Sequence, residues 1–90
     1  MLDIVVSNQF KKDLKQISKR GYDLNLLNDI VDKLALQEKL DAQFRDHALT
    51  GNYSGFRECH IKPDWLLIYR INNNELYLFL SRTGTHSDLF

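Results

Sequence analysis

The sequence predicts an α+β fold in the order β-α-α-β-β-β, and three features carry that expectation. A short apolar, β-branched run opens the chain at residues 2–6, two amphipathic helical stretches follow, and three apolar strands separated by short polar turns fill the second half. Two amphipathic helices cannot bury their stripes alone and need a sheet to lie on. The strand connections are too short for a crossover, so the last three strands should form an antiparallel meander. The expected whole is two N-terminal helices packed on a small, mostly antiparallel, four-stranded sheet, a single domain over residues 1–90.

Leu2 to Val6 reads as the first strand because it is short and β-branched. Ser7 or Asn8 can cap the helix that follows, which should end near Gly21. At helical spacing Phe10, Leu14 and Ile17 share one arc, while Lys11, Lys12, Lys15 and Lys19 share another. That basic stripe is either a solvated face or a contact for an RNA backbone. Asp23 is a plausible cap for a second helix, whose Leu24, Leu27, Val31 and Leu34 lie along one face toward Leu40.

Three strands are then expected over residues 56–61, 65–71 and 76–80. Lys62-Pro63-Asp64 is a turn, since proline fixes φ and cannot donate to a ladder. Asn72-Asn73-Asn74 is the next turn, since asparagine tolerates positive φ. Tight turns at these points would set His60 opposite Leu67, and Leu67 opposite Phe79. Asp64 and Trp65 would then lie beside Ser81 and Arg82.

Composition narrows the function classes. Hydrophobic residues make up 43% of the 90 residues, an ordinary globular balance rather than a disordered one. Twelve basic and twelve acidic side chains cancel, which argues against a simple polyanion binder and leaves local basic patches to do any such work. A lone cysteine, Cys59, cannot form an internal disulfide, so no oxidising compartment is required. The longest apolar run, Trp65 to Tyr69, falls far short of a membrane span, and the apolar start is too short for a signal peptide. A cytoplasmic protein with no membrane partner is expected.

All three histidines (His47, His60 and His86) fall in the second half of the chain, with Asp64, Trp65 and Arg82 among them. Histidine titrates nearest neutrality and is the usual agent of proton transfer at pH 7. The set suits phosphodiester chemistry, which needs a base, an acid and a cation. The predicted turns gather His60, Asp64, Trp65 and Arg82 at one end of the sheet, and Gly84 would let the tail carrying His86 fold back over it. His47 lies in the loop before the sheet, and the sequence does not place it. Each residue also has a plain structural role open to it: a strand histidine, a turn aspartate, a core tryptophan. Zinc could take such ligands, but paired cysteines and histidines one helical turn apart are absent, so neither a metal nor another cofactor is expected. Cys59 and His60 alternate along a strand and should face opposite ways, which removes a Cys–His nucleophilic pair.

Three stretches carry a resemblance: Arg45-Asp46-His47-Ala48-Leu49-Thr50-Gly51; Gly55 to His60 continuing to Pro63-Asp64-Trp65; and Arg82-Thr83-Gly84-Thr85-His86 running to Phe90. In that order and spacing they strongly resemble the YafQ family, toxins of the RelE/ParE superfamily found in bacterial type II toxin–antitoxin pairs. The resemblance is close in the second half and rests on length and helix placement in the first. It implies a RelE-like fold and an endoribonuclease that cuts messenger RNA in the ribosomal A site. It also implies a cognate antitoxin that wraps the toxin and, with it, represses the shared operon by binding operator DNA. The family's functional positions match His47, His60, Asp64 and His86, supported by Trp65 and Phe90. The balanced charge is a departure, since relatives tend to be basic.

On this reading His86 is the general acid, His47 or Asp64 the base, and His60 an orienting or neutralising group. Arg82 clamps the phosphate, and Trp65 and Phe90 offer stacking surfaces for bases. Two rival readings share the fold. One is a ParE-like toxin that inhibits a DNA topoisomerase without chemistry, which would not need three histidines near a carboxylate. The other is a toxin-derived module kept only as a repressor.

Overall fold

The computed structural model describes residues 1–90. Strand β1 (Asp3–Val6) leads into α1 (Asn8–Lys19) and α2 (Leu24–Ala35). Strands β2 (His47–Ala48), β3 (Arg57–Lys62), β4 (Trp65–Asn72) and β5 (Tyr77–Gly84) follow, and α3 (His86–Leu89) closes the chain. The α+β class is as predicted. The sheet, however, has five strands in the order β1-β5-β4-β3-β2, with β1 parallel to β5 and the other pairs antiparallel. The fifth strand is the two-residue β2, in a segment whose polar sequence reads as loop.

The helices start where capping chemistry puts them. Ser7 Oγ accepts from the Phe10 amide and Asp23 from the Asn25 amide, so two otherwise orphaned donors are satisfied. Helix α2 stops at Ala35, five residues before the predicted Leu40, because Gln37 takes a left-handed φ of 57° that no helix continues through. Leu40 is buried all the same, packed from the loop rather than from a helix.

One core of 16 buried residues lies between the sheet and α1–α2, including Phe10, Ile17, Leu27, Ile30, Cys59, Trp65, Leu67 and Tyr69. Alternation along β4 sends Leu66 and Ile68 to the opposite face, where Leu89 of α3 joins them in a cluster of three. Trp65 through Tyr69 are buried without a break, so β4 is a central strand covered on both faces.

Strand β1 ends at Val6 while β5 runs on to Gly84, which leaves the far half of the β5 edge unpaired. Side chains of the α1 segment take over. Ser7 Oγ donates to the Ser81 carbonyl at 2.7 Å, and the Asp13 carboxylate accepts the Thr83 amide at 3.2 Å. A polar edge that would otherwise be buried without partners is thereby satisfied.

The β4–β5 register differs from the prediction. The Asn72 side chain accepts from the Asn74 and Glu75 amides, and it is Leu76, not an asparagine, that takes the positive φ of 57°. The resulting loop spans residues 73–76 and is longer than the tight turn expected. Leu67 therefore pairs with Thr83 rather than Phe79, and Arg82 faces Ile68 rather than Asp64. That four-residue offset moves Arg82 roughly 13 Å along the sheet at 3.3 Å per residue. Three of the four residues come from the longer loop and the fourth from a bulge between Ile68 and Tyr69. Around Pro63 the expectation misses by one residue, His60 pairing with Leu66, because the ladder shifts between His60 and Lys62.

Candidate active site

The face of the sheet away from α1 and α2 carries the histidines. Cys59 and Ile61 point into the main core, so Glu58 and His60, which alternate with them, point the other way. The short pairing of β2 with β3 sets His47 directly opposite Glu58. Glu58 thus stands between two imidazoles: its Oε1 lies 3.5 Å from His47 Nε2 and 3.4 Å from His60 Nε2. Glu58 is only 5% exposed, which gives a buried carboxylate a reason to keep cationic or donor neighbours.

The other side of His60 belongs to the tail. Thr85 caps α3 through a full capping box with Asp88, and His86 is the first residue of that helix. Asp64 Oδ1 accepts both the His86 backbone amide at 3.0 Å and its ring Nδ1 at 2.6 Å. These two hydrogen bonds, from the amide first and the ring second, hold the Asp64 carboxyl below the usual carboxylate range. The tail is therefore a short anchored helix rather than a loose arm, with Leu89 buried beneath it.

The three rings form a row. Ring centroids stand 6.2 Å apart from His47 to His60 and 5.7 Å apart from His60 to His86, with His60 in the middle. Their Nδ1 partners differ in kind. His47 Nδ1 lies 2.6 Å from the Arg45 carbonyl and His60 Nδ1 3.4 Å from the Pro63 carbonyl. A carbonyl only accepts, so Nδ1 is the donor in those rings, and each Nε2 faces the Glu58 carboxylate, to which it donates only when the ring is protonated. His86 instead meets a carboxylate, which forms an ion pair when its ring is protonated.

The remaining predicted residues sit elsewhere or in other roles. Trp65 is 2% exposed, with its indole N–H on Thr83 Oγ1 at 2.9 Å and its ring edge-on to Tyr22, so it is core and offers no open stacking face. Arg82 donates through Nε and Nη2 to Asp13 at 2.8 and 3.2 Å, and it lies in cross-strand register with Ile68 and Glu58 rather than beside Asp64. Phe90 is 64% exposed and stands edge-on to Tyr53, an open ring beside the site. The cations that do flank His60 are Arg45 and Lys62, which line a cleft of about 320 Å³ with it. Sequence reasoning missed Glu58, Arg45 and Lys62. For Glu58 the available signal was its two-residue spacing from His60 on a strand.

One further property came from register and not from sequence spacing. One ligand atom each from His47, Glu58 and His60 lies within 4.8 Å of the others. A tetrahedral zinc ion with bonds near 2.0–2.1 Å separates its ligands by about 3.4 Å, close to the two distances to Glu58. The backbone carbonyls on both Nδ1 atoms are the outer partners such a site uses. The residues fit a transition-metal ion, contrary to the expectation drawn from spacing. Cys59, fully buried on the opposite face, takes no part; burial pushes its thiol up to about 12 and leaves it protonated.

A helix-on-sheet α+β fold with an imidazole row on its open face is the plan this chain shares with a family of bacterial toxins. The chain belongs to the YafQ family, matching "Bacterial toxin of type II toxin-antitoxin system, YafQ" over residues 2–90. It is 40% identical over 89 residues to the mRNA interferase toxin YafQ of Escherichia coli K12, spanning 98% of this chain and 95% of that one. Among solved structures it is similar to a metal-bound toxin from Helicobacter pylori, with 50% identity, a TM-score of 0.94 and full coverage of both chains. It is also similar to a chain of the E. coli DinJ–YafQ complex, with 40% identity, a TM-score of 0.90 and coverage of 100% and 99%.

Proposed function

We propose that this chain is an endoribonuclease that cleaves messenger RNA in the ribosomal A site. The observation that carries the reading is the row of three imidazoles with different Nδ1 partners. Cleavage by the ribose 2′-hydroxyl is an in-line displacement, so the base and acid must stand on opposite sides of the phosphorus. His47 and His86 stand at opposite ends of the row, with His60 between them.

His47, its Nδ1 proton directed at the Arg45 carbonyl and its Nε2 beside Glu58, is the general base in its neutral form. It takes the 2′-hydroxyl proton as that oxygen attacks phosphorus. His60 faces the non-bridging oxygens with Arg45 and Lys62 nearby, and together they stabilise the charge of the phosphorane. His86 is the general acid and protonates the leaving 5′-oxygen, its ring oriented and paired by Asp64. The products are a 2′,3′-cyclic phosphate and a 5′-hydroxyl. The two hydrogen bonds from His86 make Asp64 an orienting group rather than the base. Arg82 keeps only the donors not given to Asp13 for a phosphate, and Phe90 supplies the exposed ring for stacking on a base. Trp65 supports this end of the sheet from the core.

No salt bridge holds Lys11, Lys12, Lys15 or Lys19, and this exposed stripe is the surface for ribosomal RNA. A cognate antitoxin covers the toxin, as DinJ partners the E. coli relative, and the pair represses its own operon through operator DNA. The place of action is the cytoplasm; no helix is long and apolar enough to cross a membrane. A transition-metal ion of the sort bound by the H. pylori relative would be held by His47, Glu58 and His60. When bound there it would supply a Lewis acid and occupy the lone pair that His47 uses as base, so the proton transfers above belong to the metal-free protein.

Primer extension on cellular RNA after brief induction tests the reading. In-frame cuts in translated messages are expected. Treating the protein with EDTA and then restoring magnesium for the ribosomes should leave cutting intact. DNA damage with no RNA cuts would identify a topoisomerase inhibitor, and cutting lost to EDTA and restored only by zinc would overturn the metal-free chemistry.

A further inference from the structure

The general acid is the one member of the row that does not sit on the sheet. His86 opens a four-residue helix, too short to hold its own position by backbone hydrogen bonds. Something outside the helix must fix it. Leu89 anchors one side by inserting beneath the sheet next to Leu66 and Ile68. The other side is held by an ion pair that crosses 68 residues of sequence: Arg20 donates to Asp88 through Nη1 at 2.6 Å and Nη2 at 3.0 Å.

Asp88 is already the third residue of α3 and completes its capping box, with Oδ2 accepting the Thr85 amide at 2.9 Å. The same oxygen receives Arg20, so one carboxylate ties the cap of α3 to the end of α1. The fit is close. A Cβ on Gly84 would come within 2.9 Å of that oxygen, so the strand must pass without a side chain for the carboxylate to sit where it does. Arg20 in turn is fixed as the C-cap of α1, its amide bonded back to the Gln16 carbonyl just before the chain turns at Gly21. A rigid helix end thus grips the short helix that carries the acid, through a planar fork matched to a carboxylate.

We infer that Arg20 is a positioning residue for cleavage, acting through Asp88 to hold His86 against Asp64. The inference rests on the nuclease reading of the site, but Arg20 itself touches neither the imidazole row nor Asp64. A displacement of about 1 Å at a reacting group can cost on the order of 10²-fold in rate. Releasing α3 on one side should therefore lower the cleavage step without unfolding the protein, since the pair lies at the surface with Arg20 one-third exposed.

The experiment compares wild type, Arg20→Ala and Arg20→Lys on messenger RNA bound to programmed ribosomes, with kcat and KM measured separately. Arg20→Ala is expected to lower kcat roughly 10- to 100-fold with KM near wild type. Arg20→Lys, which keeps the charge but not the fork, is expected to recover part of that loss. An NMR titration of the Asp64 carboxyl supplies a readout independent of activity. Because the His86 bonds hold that group low, its midpoint should rise in Arg20→Ala toward the ordinary carboxylate value. An unchanged kcat with an unmoved Asp64 titration would overturn the inference. So would a rise in KM at constant kcat, which would make Arg20 one more phosphate-binding cation beside Lys15 and Lys19. If wild type cuts no RNA, the nuclease reading falls, and the Asp64 titration alone decides whether Arg20 holds the acid.

Discussion

On one face of the sheet, α1 and α2 cover a cluster of 16 buried residues; on the other, Leu66, Ile68 and Leu89 form a cluster of three. Strand β4 serves both faces, with odd-numbered residues from Trp65 to Tyr69 under the helices and even-numbered ones behind the imidazole row. The large cluster removes enough apolar surface to stabilise the domain, at about 1.5–3 kcal/mol for each fully buried large side chain. The small one leaves room for Glu58, His60 and the tail to meet at the surface. A protein of this size can give one face to stability and the other to chemistry because a strand changes face at every residue. His86, the proposed acid at the tail, is held by Leu89 and a handful of polar bonds rather than by the large core.

Substitutions that separate the two faces test this division, and the largest effect is expected on the open one. His86→Gln keeps size and hydrogen bonding but cannot deliver a proton, so cleavage should fall by about 10²- to 10⁴-fold. Its thermal midpoint should barely move, because the side chain is 54% exposed. Comparable cleavage by His86→Gln and wild type would take the acid away from this residue. The buried face should behave the opposite way. Leu67→Ala leaves a cavity under the helices and should cost about 2–5 kcal/mol in urea unfolding. The remaining folded fraction should still cut RNA at the wild-type rate, and a loss of rate in that fraction would mean that the two faces are coupled.

The smallest effect concerns acid. Asp64 has a folded-state carboxyl held below its ordinary value by the His86 amide and ring. Its contribution to stability is therefore complete above the unfolded value of about 4 and disappears as pH falls through the lower folded one. Between about pH 4 and pH 2 the melting temperature of wild type should fall more steeply than that of Asp64→Ala. Parallel slopes would mean that the His86 bonds are not made in solution.

Much of this was legible in the chain, and the residues show why. Ser7 or Asn8, and Asp23, announced the two helix starts, and the structure uses Ser7 and Asp23, because capping is satisfied within three residues. Cys59 and His60 were assigned to opposite faces from strand alternation alone, and they lie there. The histidines and Asp64 could be singled out as candidates by their chemistry, and the structure brings them together. The motif order around them pointed to the family.

What failed were distances set by loops and by neighbours remote in sequence. Arg82 was expected beside Asp64 because a tight asparagine turn was assumed; the longer loop and the bulge moved it to face Ile68, where Asp13 claims its guanidinium. Trp65 was read as a stacking surface, yet Tyr22 and Thr83 close over it from the helix layer and from β5. Sequence by itself determined which residues could do chemistry and which segments were helix or strand, since those depend on side-chain type and local periodicity. Only the tertiary structure decided that Glu58 would stand between His47 and His60 and that Arg20 would reach Asp88. The first follows from the β2–β3 pairing and the second from the packing of α1 beside α3, so both are fixed only when the sheet register and the packing of the helices are complete.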